Sequence, residues 1–160
     1  MTQRVEVGLT STWTYDTAVK GIGKLAADSA TNGAGHAFTF DSLSRPSTVA
    51  TTVDGNTYTT TTTYDANGRP DLVTYPSGFA VKNVYTTLGY LSQIKNNATG
   101  SALWTANTAN AEMQITQQTA GNGVVTNRAY DANNGLVSTI QVGFRTRSRT
   151  SPTRSTTSAR

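Results

Sequence analysis

Residues 64–73 read YDANGRPDLV, and the same arrangement returns as FDSLSRPSTV at 40–49, as YDANNGLVSTI at 130–140 and, stretched by an insertion, as YDTAVKGIGKL at 15–25. YTTLGYLSQI at 85–94 keeps the aromatic, the glycine and the apolar exit but carries Thr86 in place of the aspartate, and WTANTANAEMQI from Trp104 reads as a sixth, more decayed unit. The aromatics fall at positions 15, 40, 64, 85, 104 and 130, at intervals of 25, 24, 21, 19 and 26 residues. A period of this size is the signature of an array in which each unit is completed by its neighbours. It sets units near 15–39, 40–63, 64–84, 85–103, 104–129 and 130–143.

Each period carries the same punctuation. An extended run rich in Thr, Tyr, Val and Phe approaches the aromatic, a turn follows the aspartate, an apolar run departs, and a second glycine turn reverses the chain. Branched and aromatic side chains suit a pleated strand. Asn67-Gly68, Asn122-Gly123 and Asn134-Gly135 reach positive φ cheaply, as two-residue hairpin turns require, and Asp54-Gly55 and Ser77-Gly78 fit the same use. Glutamate and lysine are scarce, which disfavours helices, and the one stretch where a short helix is conceivable, 101–119, is so rich in Thr and Asn that a hairpin is preferred. The expected fold is all-β: antiparallel hairpins forming a curved, twisted strip. In YTTTTTY, 58–64, the even spacing puts Tyr58 and Tyr64 on one face.

The series Gly, spacer, Tyr-Asp, two residues, Gly-Arg, apolar exit resembles the Rhs repeat, also called the YD repeat. Gly55, Tyr64, Asp65, Gly68 and Arg69 carry it best, then Gly123, Tyr130, Asp131 and Gly135, with Tyr15, Asp16, Phe40, Asp41, Gly78, Tyr85 and Gly89 marking the same positions elsewhere. The resemblance covers nearly all of residues 10–143. It implies a strip of β-hairpins that, in bacterial Rhs toxins, in the C component of Tc toxin complexes and in animal teneurins, spirals into a hollow shell. In the bacterial members the shell encloses a toxic C-terminal domain. About six units are too few to close such a shell, and nothing here matches the aspartate-containing segment that ends it and releases the toxin. The resemblance therefore implies a wall role alone, in a secreted or cell-surface parent, with adjoining repeats of a longer chain as partners.

The net charge of +4 raises the question of nucleic acid, and the position of the charges answers it. Five arginines, Arg145, Arg147, Arg149, Arg154 and Arg160, fall in the acid-free stretch 144–160, whereas residues 1–143 hold eight basic and nine acidic side chains. The stretch 144–160 reads as a disordered Arg/Ser/Thr-rich tail, as a phosphate-attracting arm, or as a frameshift product. Shifted by two nucleotides, with a free choice of synonymous codons, it can encode PDTVANLTYTFDHLGE, whose Phe-Asp falls about one period after Tyr130-Asp131. No specific nucleic-acid partner is expected. There is neither a long apolar span nor a signal-like N-terminal segment.

The chain has no cysteine and one histidine, so disulfides, thiolate metal sites and multi-histidine sites are excluded. Neither catalytic residues, metal ligands nor a cofactor are expected. Asp16, Asp41, Asp65 and Asp131 stand one per hairpin without the paired partner a glycosidase needs or the oxygen-rich loop of an EF-hand; each is expected to bond the turn amides that follow it. The aromatics Tyr15, Phe40, Tyr64, Tyr85, Trp104 and Tyr130 suit cross-strand packing or a carbohydrate-binding ladder. Arg45 and Arg69 suit stacking on a tyrosine or pairing with a carboxylate. His36 lacks a nearby nucleophile for a triad, and Gly-x-Gly-Lys at 21–24 lacks phosphate-loop spacing. A structural wall segment is the leading functional expectation, a secreted or surface module binding carbohydrate or protein the alternative, and a hydrolase the weakest reading.

Overall fold

The computed structural model describes residues 2–144, and these form strands and turns with no helix among them. The strands are β1 (Thr2–Glu6), β2 (Leu9–Tyr15), β3 (Leu25–Ala30), β4 (Gly35–Phe40), β5 (Pro46–Val53), β6 (Asn56–Tyr64), β7 (Pro70–Thr74), β8 (Ala80–Tyr85), β9 (Leu91–Asn96), β10 (Ala102–Ala109), β11 (Ile115–Ala120), β12 (Val124–Tyr130) and β13 (Val137–Phe144). The chain divides into two compact units, the first ending at Thr105 and the second beginning at Ala106, so that β10 contributes to both. In the first unit the strand order is β1 through β10, and in the second β10 through β13, each strand hydrogen-bonded to its sequence neighbours. The pairings with a defined register are antiparallel, as short hairpin connections demand. Of the tail, Phe144 closes β13 and the remainder lies outside the described residues.

Little is buried. Among the described residues only Gly21 and Ala26 in the first unit and Val125 in the second are buried. Stability in such a sheet comes from strand pairing and from contacts between side chains on adjacent strands, and threonine supplies many of these. Thr39 Oγ1 lies 2.7 Å from both Thr48 Oγ1 and Ser47 Oγ, and Thr52 Oγ1 lies 3.2 Å from Thr57 Oγ1.

A register shift stands at the repeat aromatic of five hairpins. Thr63 pairs Leu72 while Tyr64 pairs Pro70, leaving Asp71 as an extra residue. Ala26, Ser47, Ser92 and Ser138 are the extra residues beside Tyr15, Phe40, Tyr85 and Tyr130. Such bulges increase local twist and re-aim the side chains beside them.

The turns differ from the two-residue type expected at each glycine. Of the dipeptides singled out, only Asp54-Gly55 has both residues at positive φ, 48° and 75°, joining Val53 to its partner Asn56. At Asn67-Gly68 the glycine alone is left-handed, at 80°. There Gly68 N–H donates to the Asp65 carbonyl and Asp65 N–H to the Arg69 carbonyl. Asn122-Gly123 and Asn134-Gly135 likewise place only the glycine at positive φ. At the first and last of these three pairs a preceding aspartate, Asp65 or Asp131, accepts from the turn amides, and at Asn122-Gly123 the Asn122 Oδ1 accepts from Val124 N–H, so one left-handed residue suffices to close the loop.

Candidate functional site: a tyrosine–arginine clamp between hairpins

The repeat residues converge on the β4–β5, β6–β7 and β8–β9 connections. At the first, Asp41 Oδ1 accepts from the backbone N–H groups of Leu43 and Arg45, both at 2.9 Å. Its Oδ2 accepts from Arg45 Nε and Nη2, both at 2.7 Å. At the second, Asp65 Oδ1 accepts from Asn67 and Arg69 N–H, both at 2.9 Å, and Oδ2 from Arg69 Nε at 2.8 Å and Nη2 at 2.7 Å. One carboxylate therefore shapes the turn and anchors the guanidinium. Both aspartates are held below the usual value of 3.8, Asp41 first by the Arg45 side-chain hydrogen bond and Asp65 first by the Arg69 backbone N–H.

The anchored arginine then reaches the next hairpin. The Arg45 guanidinium stacks 4.2 Å from the centre of the Tyr64 ring, and that of Arg69 lies 4.2 Å from the centre of Tyr85. The tyrosine returns the contact. Tyr64 O–H donates to the carbonyl of Pro46, the residue after Arg45, at 2.8 Å, and Tyr85 O–H to that of Pro70, the residue after Arg69, at 2.7 Å. The arginine also lies against the next glycine turn: a Cβ placed on Gly68 would stand 3.4 Å from Arg45 Nη1, and one on Gly89 3.4 Å from Arg69 Nη1. Glycine at these positions answers two demands, positive φ and a guanidinium overhead. At these two junctions one hairpin thus grips the next through a cation–π contact and a hydrogen bond, its arginine held in place by an ion pair within its own turn.

At the first junction the clamp is partial. Lys24 Nζ stands 5.6 Å from the centre of the Phe40 ring, and Phe40 has no hydroxyl. Asp16 still accepts from the Gly23 N–H across the inserted loop. In the fourth hairpin Thr86 takes the aspartate's place, its Oγ1 accepting from Tyr90 N–H at 3.1 Å.

The second compact unit holds an uncharged version. Asn110 Oδ1 accepts from Gln114 N–H at 2.8 Å, and Asn110 Nδ2 donates to Gln114 Oε1 at 2.7 Å. Gln114 Nε2 donates to the Gly135 carbonyl at 2.9 Å, and Tyr130 O–H to the carbonyl of Ile115, the residue after Gln114, at 3.0 Å. Asp131 Oδ1 accepts from Asn133 and Asn134 N–H. This corrects the start of the decayed unit. Trp104 stands within β10, and the aromatic-aspartate position is held by Ala109-Asn110 at the end of that strand. Asn110 and Gln114 were missed in the sequence, although their four-residue spacing repeats that of Asp41…Arg45 and Asp65…Arg69.

Of the other singled-out residues, Gly55 and Gly78 occupy positive-φ turn positions at the opposite ends of the strands, with Gly123 in the same role in the second unit. Tyr15 ends β2 and is partly exposed, and Tyr58 is half exposed. His36 Nδ1 lies 3.0 Å from Asp28 Oδ1, its cross-strand partner. Among the described residues no three His, Cys, Asp or Glu side chains gather as a metal site.

These features define a class: antiparallel hairpin arrays in which a turn of one hairpin locks onto the next. No protein-family model and no curated protein matches the chain. Among solved structures it is similar to TcdB2-TccC3 without the hypervariable C-terminal region, at TM-score 0.62 and 14% identity over 84% of this chain and 9% of that one. It is similar also to the TcdB2-TccC3-Cdc42 structure, at 0.58 and 13%, and to the Photorhabdus luminescens Tc holotoxin pore, at 0.58 and 14%, each again over 84% of this chain and 9% of the other. At such identity the likeness is one of fold: the chain shares the antiparallel β fold of the matched part of those structures and spans about a tenth of their length. No helix among the described residues is long and apolar enough to cross a membrane.

Proposed function

We propose that this chain is a non-catalytic segment of an Rhs/YD-repeat shell wall, whose longer parent encloses a C-terminal toxin or effector. The carrying observation is the clamp: the repeat aspartates, arginines and tyrosines are spent on one another and on the next hairpin. Asp41 and Asp65 face turn amides and guanidinium nitrogens, and the rings of Tyr64 and Tyr85 are covered by arginine. A residue so engaged is a poor general base and a poor sugar platform, while the repetition of the engagement joins hairpins into a continuous sheet. The fold likeness to TcdB2-TccC3 supports the same reading. The wall acts by topology: paired strands leave no gap between hairpins, so what lies on one side is kept from the other. Its partners are adjoining repeats, and its parent acts as a secreted or cell-surface protein.

The test is to read the coding DNA onward from the Gly143 codon in every frame. Further Tyr-Asp units at the same period are expected; a long downstream sequence free of them in all frames refutes the reading. Calorimetric titration against a glycan panel separates the alternative, since heat from a specific glycan would make the chain a binding module.

A further inference from the structure

Glycine follows asparagine at four places, Asn32-Gly33, Asn67-Gly68, Asn122-Gly123 and Asn134-Gly135. In each pair the asparagine is exposed and the glycine stands at positive φ. In each, the glycine N–H donates across the turn, to the carbonyl of Ala30, Asp65, Ala120 or Asp131 respectively. The asparagine side chains differ. Asn32 Oδ1 accepts from Ala34 N–H at 3.1 Å, Asn122 Oδ1 from Val124 N–H at 3.2 Å and Asn134 Oδ1 from Leu136 N–H at 2.9 Å, in every case the amide two residues on. At Asn67 the corresponding donor is Arg69 N–H, and Asp65 Oδ1 already holds it at 2.9 Å. The aspartate that builds the clamp thus leaves the Asn67 carboxamide without the bond that holds the other three.

We propose that Asn67 is a site of spontaneous deamidation, converted ahead of the other three asparagines. The Gly68 backbone nitrogen attacks Asn67 Cγ and loses its proton to solvent base as the new N–C bond forms. The Cγ–Nδ2 bond breaks, ammonia leaves, and a cyclic succinimide remains. Water then opens the ring at either carbonyl, giving aspartate or isoaspartate at position 67. The sum is one water taken up and one ammonia released, with no oxidant or reductant. Glycine has no side chain to obstruct the attack, so the four pairs share one intrinsic chemistry, and the glycine N–H bond that must open is common to them all. What separates them is the hold on the carboxamide. That of Asn67 turns freely to bring Cγ to the Gly68 nitrogen, whereas the other three must first give up a hydrogen bond.

The product acts on the clamp. Isoaspartate routes the main chain through the side-chain carbon and so adds a methylene between Asp65 and Arg69, within the turn where Asp65 Oδ1 accepts from both Asn67 and Arg69 N–H. A longer backbone cannot keep both bonds, and the Arg69 guanidinium loses the anchor that sets it 4.2 Å from the centre of the Tyr85 ring. The junction from the β6–β7 turn to the next hairpin therefore loosens with age, in one direction only. The proposal rests on the turn alone and is independent of the shell reading.

The test is to incubate the full-length folded chain in mildly alkaline buffer and to follow each asparagine by peptide mapping with mass spectrometry, isoaspartate being labelled with a protein-isoaspartate methyltransferase. The Asn67 peptide is expected to convert several-fold faster than those holding Asn32, Asn122 and Asn134. In concentrated urea, where no turn persists, the four are expected to converge. Asn67 converting no faster than the others in the folded chain, or keeping the same lead in urea, overturns the proposal. An Asn67→Ser chain aged alongside is expected to hold its melting temperature while that of the unmodified chain falls; an equal fall in both overturns the link to the clamp.

Discussion

Replacing Tyr64 by phenylalanine removes one hydroxyl and leaves the ring under the Arg45 guanidinium. What is lost is the 2.8 Å hydrogen bond to the Pro46 carbonyl. A typical intramolecular hydrogen bond contributes about 0.5–1.5 kcal/mol net, and here the freed carbonyl is open to water, so about 0.5–1 kcal/mol is expected. The reciprocal experiment is built into the chain. Phe40 follows the Lys24-Leu25 pair as Tyr64 follows Arg45-Pro46, its partner strand shows the same register shift, and it lacks only the hydroxyl. If the repeat geometry holds at this junction, Phe40→Tyr donates to the Leu25 carbonyl and should stabilise the first unit by about the same 0.5–1 kcal/mol. Urea unfolding followed by the fluorescence of Trp13 and Trp104 measures both, with an unchanged m-value showing that stability alone has altered. If Tyr64→Phe is neutral and Phe40→Tyr is neutral or destabilising, the hydroxyl does not join the hairpins and the clamp reduces to ring packing.

Three further outcomes test the remaining parts. Arg69→Lys keeps the charge but loses the planar fork and most of the stack on Tyr85, and should cost about 0.5–1 kcal/mol in the same urea assay, with Arg69→Ala costing more. Asp41 and Asp65 titrate below 3.8 in the folded chain; their contribution is present in full above that ordinary value and is lost as pH falls through the lower folded values. Acid melts should therefore show the melting temperature dropping below about pH 4, less so in Asp41→Asn with Asp65→Asn. Gly35→Ala places a Cβ 2.6 Å from the Asp28 carbonyl oxygen, a clash with backbone that should cost about 1–3 kcal/mol and lower the thermal midpoint.

The all-β class and the hairpin order were legible because the period repeats the same turn chemistry, and the aspartate turns because Asp41, Asp65 and Asp131 each precede amides within side-chain reach. The bulges were not legible. Ser47, Asp71 and Ser92 look like ordinary strand residues, and only the pairing of two strands reveals the extra one. The clamp was half legible: Arg45 and Arg69 suggested a stack on tyrosine, but the sequence could not say that the ring belongs to the following hairpin or that a proline carbonyl receives its hydroxyl. Trp104 misled because an aromatic is a louder signal than Asn110 and Gln114, which make the same turn without charge.

With only Ala26 and Val125 buried among the described side chains, beside the backbone of Gly21, no central nucleus ties distant strands together. Energies then add along the strip from neighbour to neighbour, and damage stays local. A lesion in one turn weakens two junctions, heat opens the chain from its outermost strands inward, and amide hydrogens should exchange in a graded series rather than all at once. The same economy permits growth and loss: a hairpin inserted or deleted whole changes the length of the strip while asking its neighbours only for one tyrosine, one arginine and one glycine in the right places.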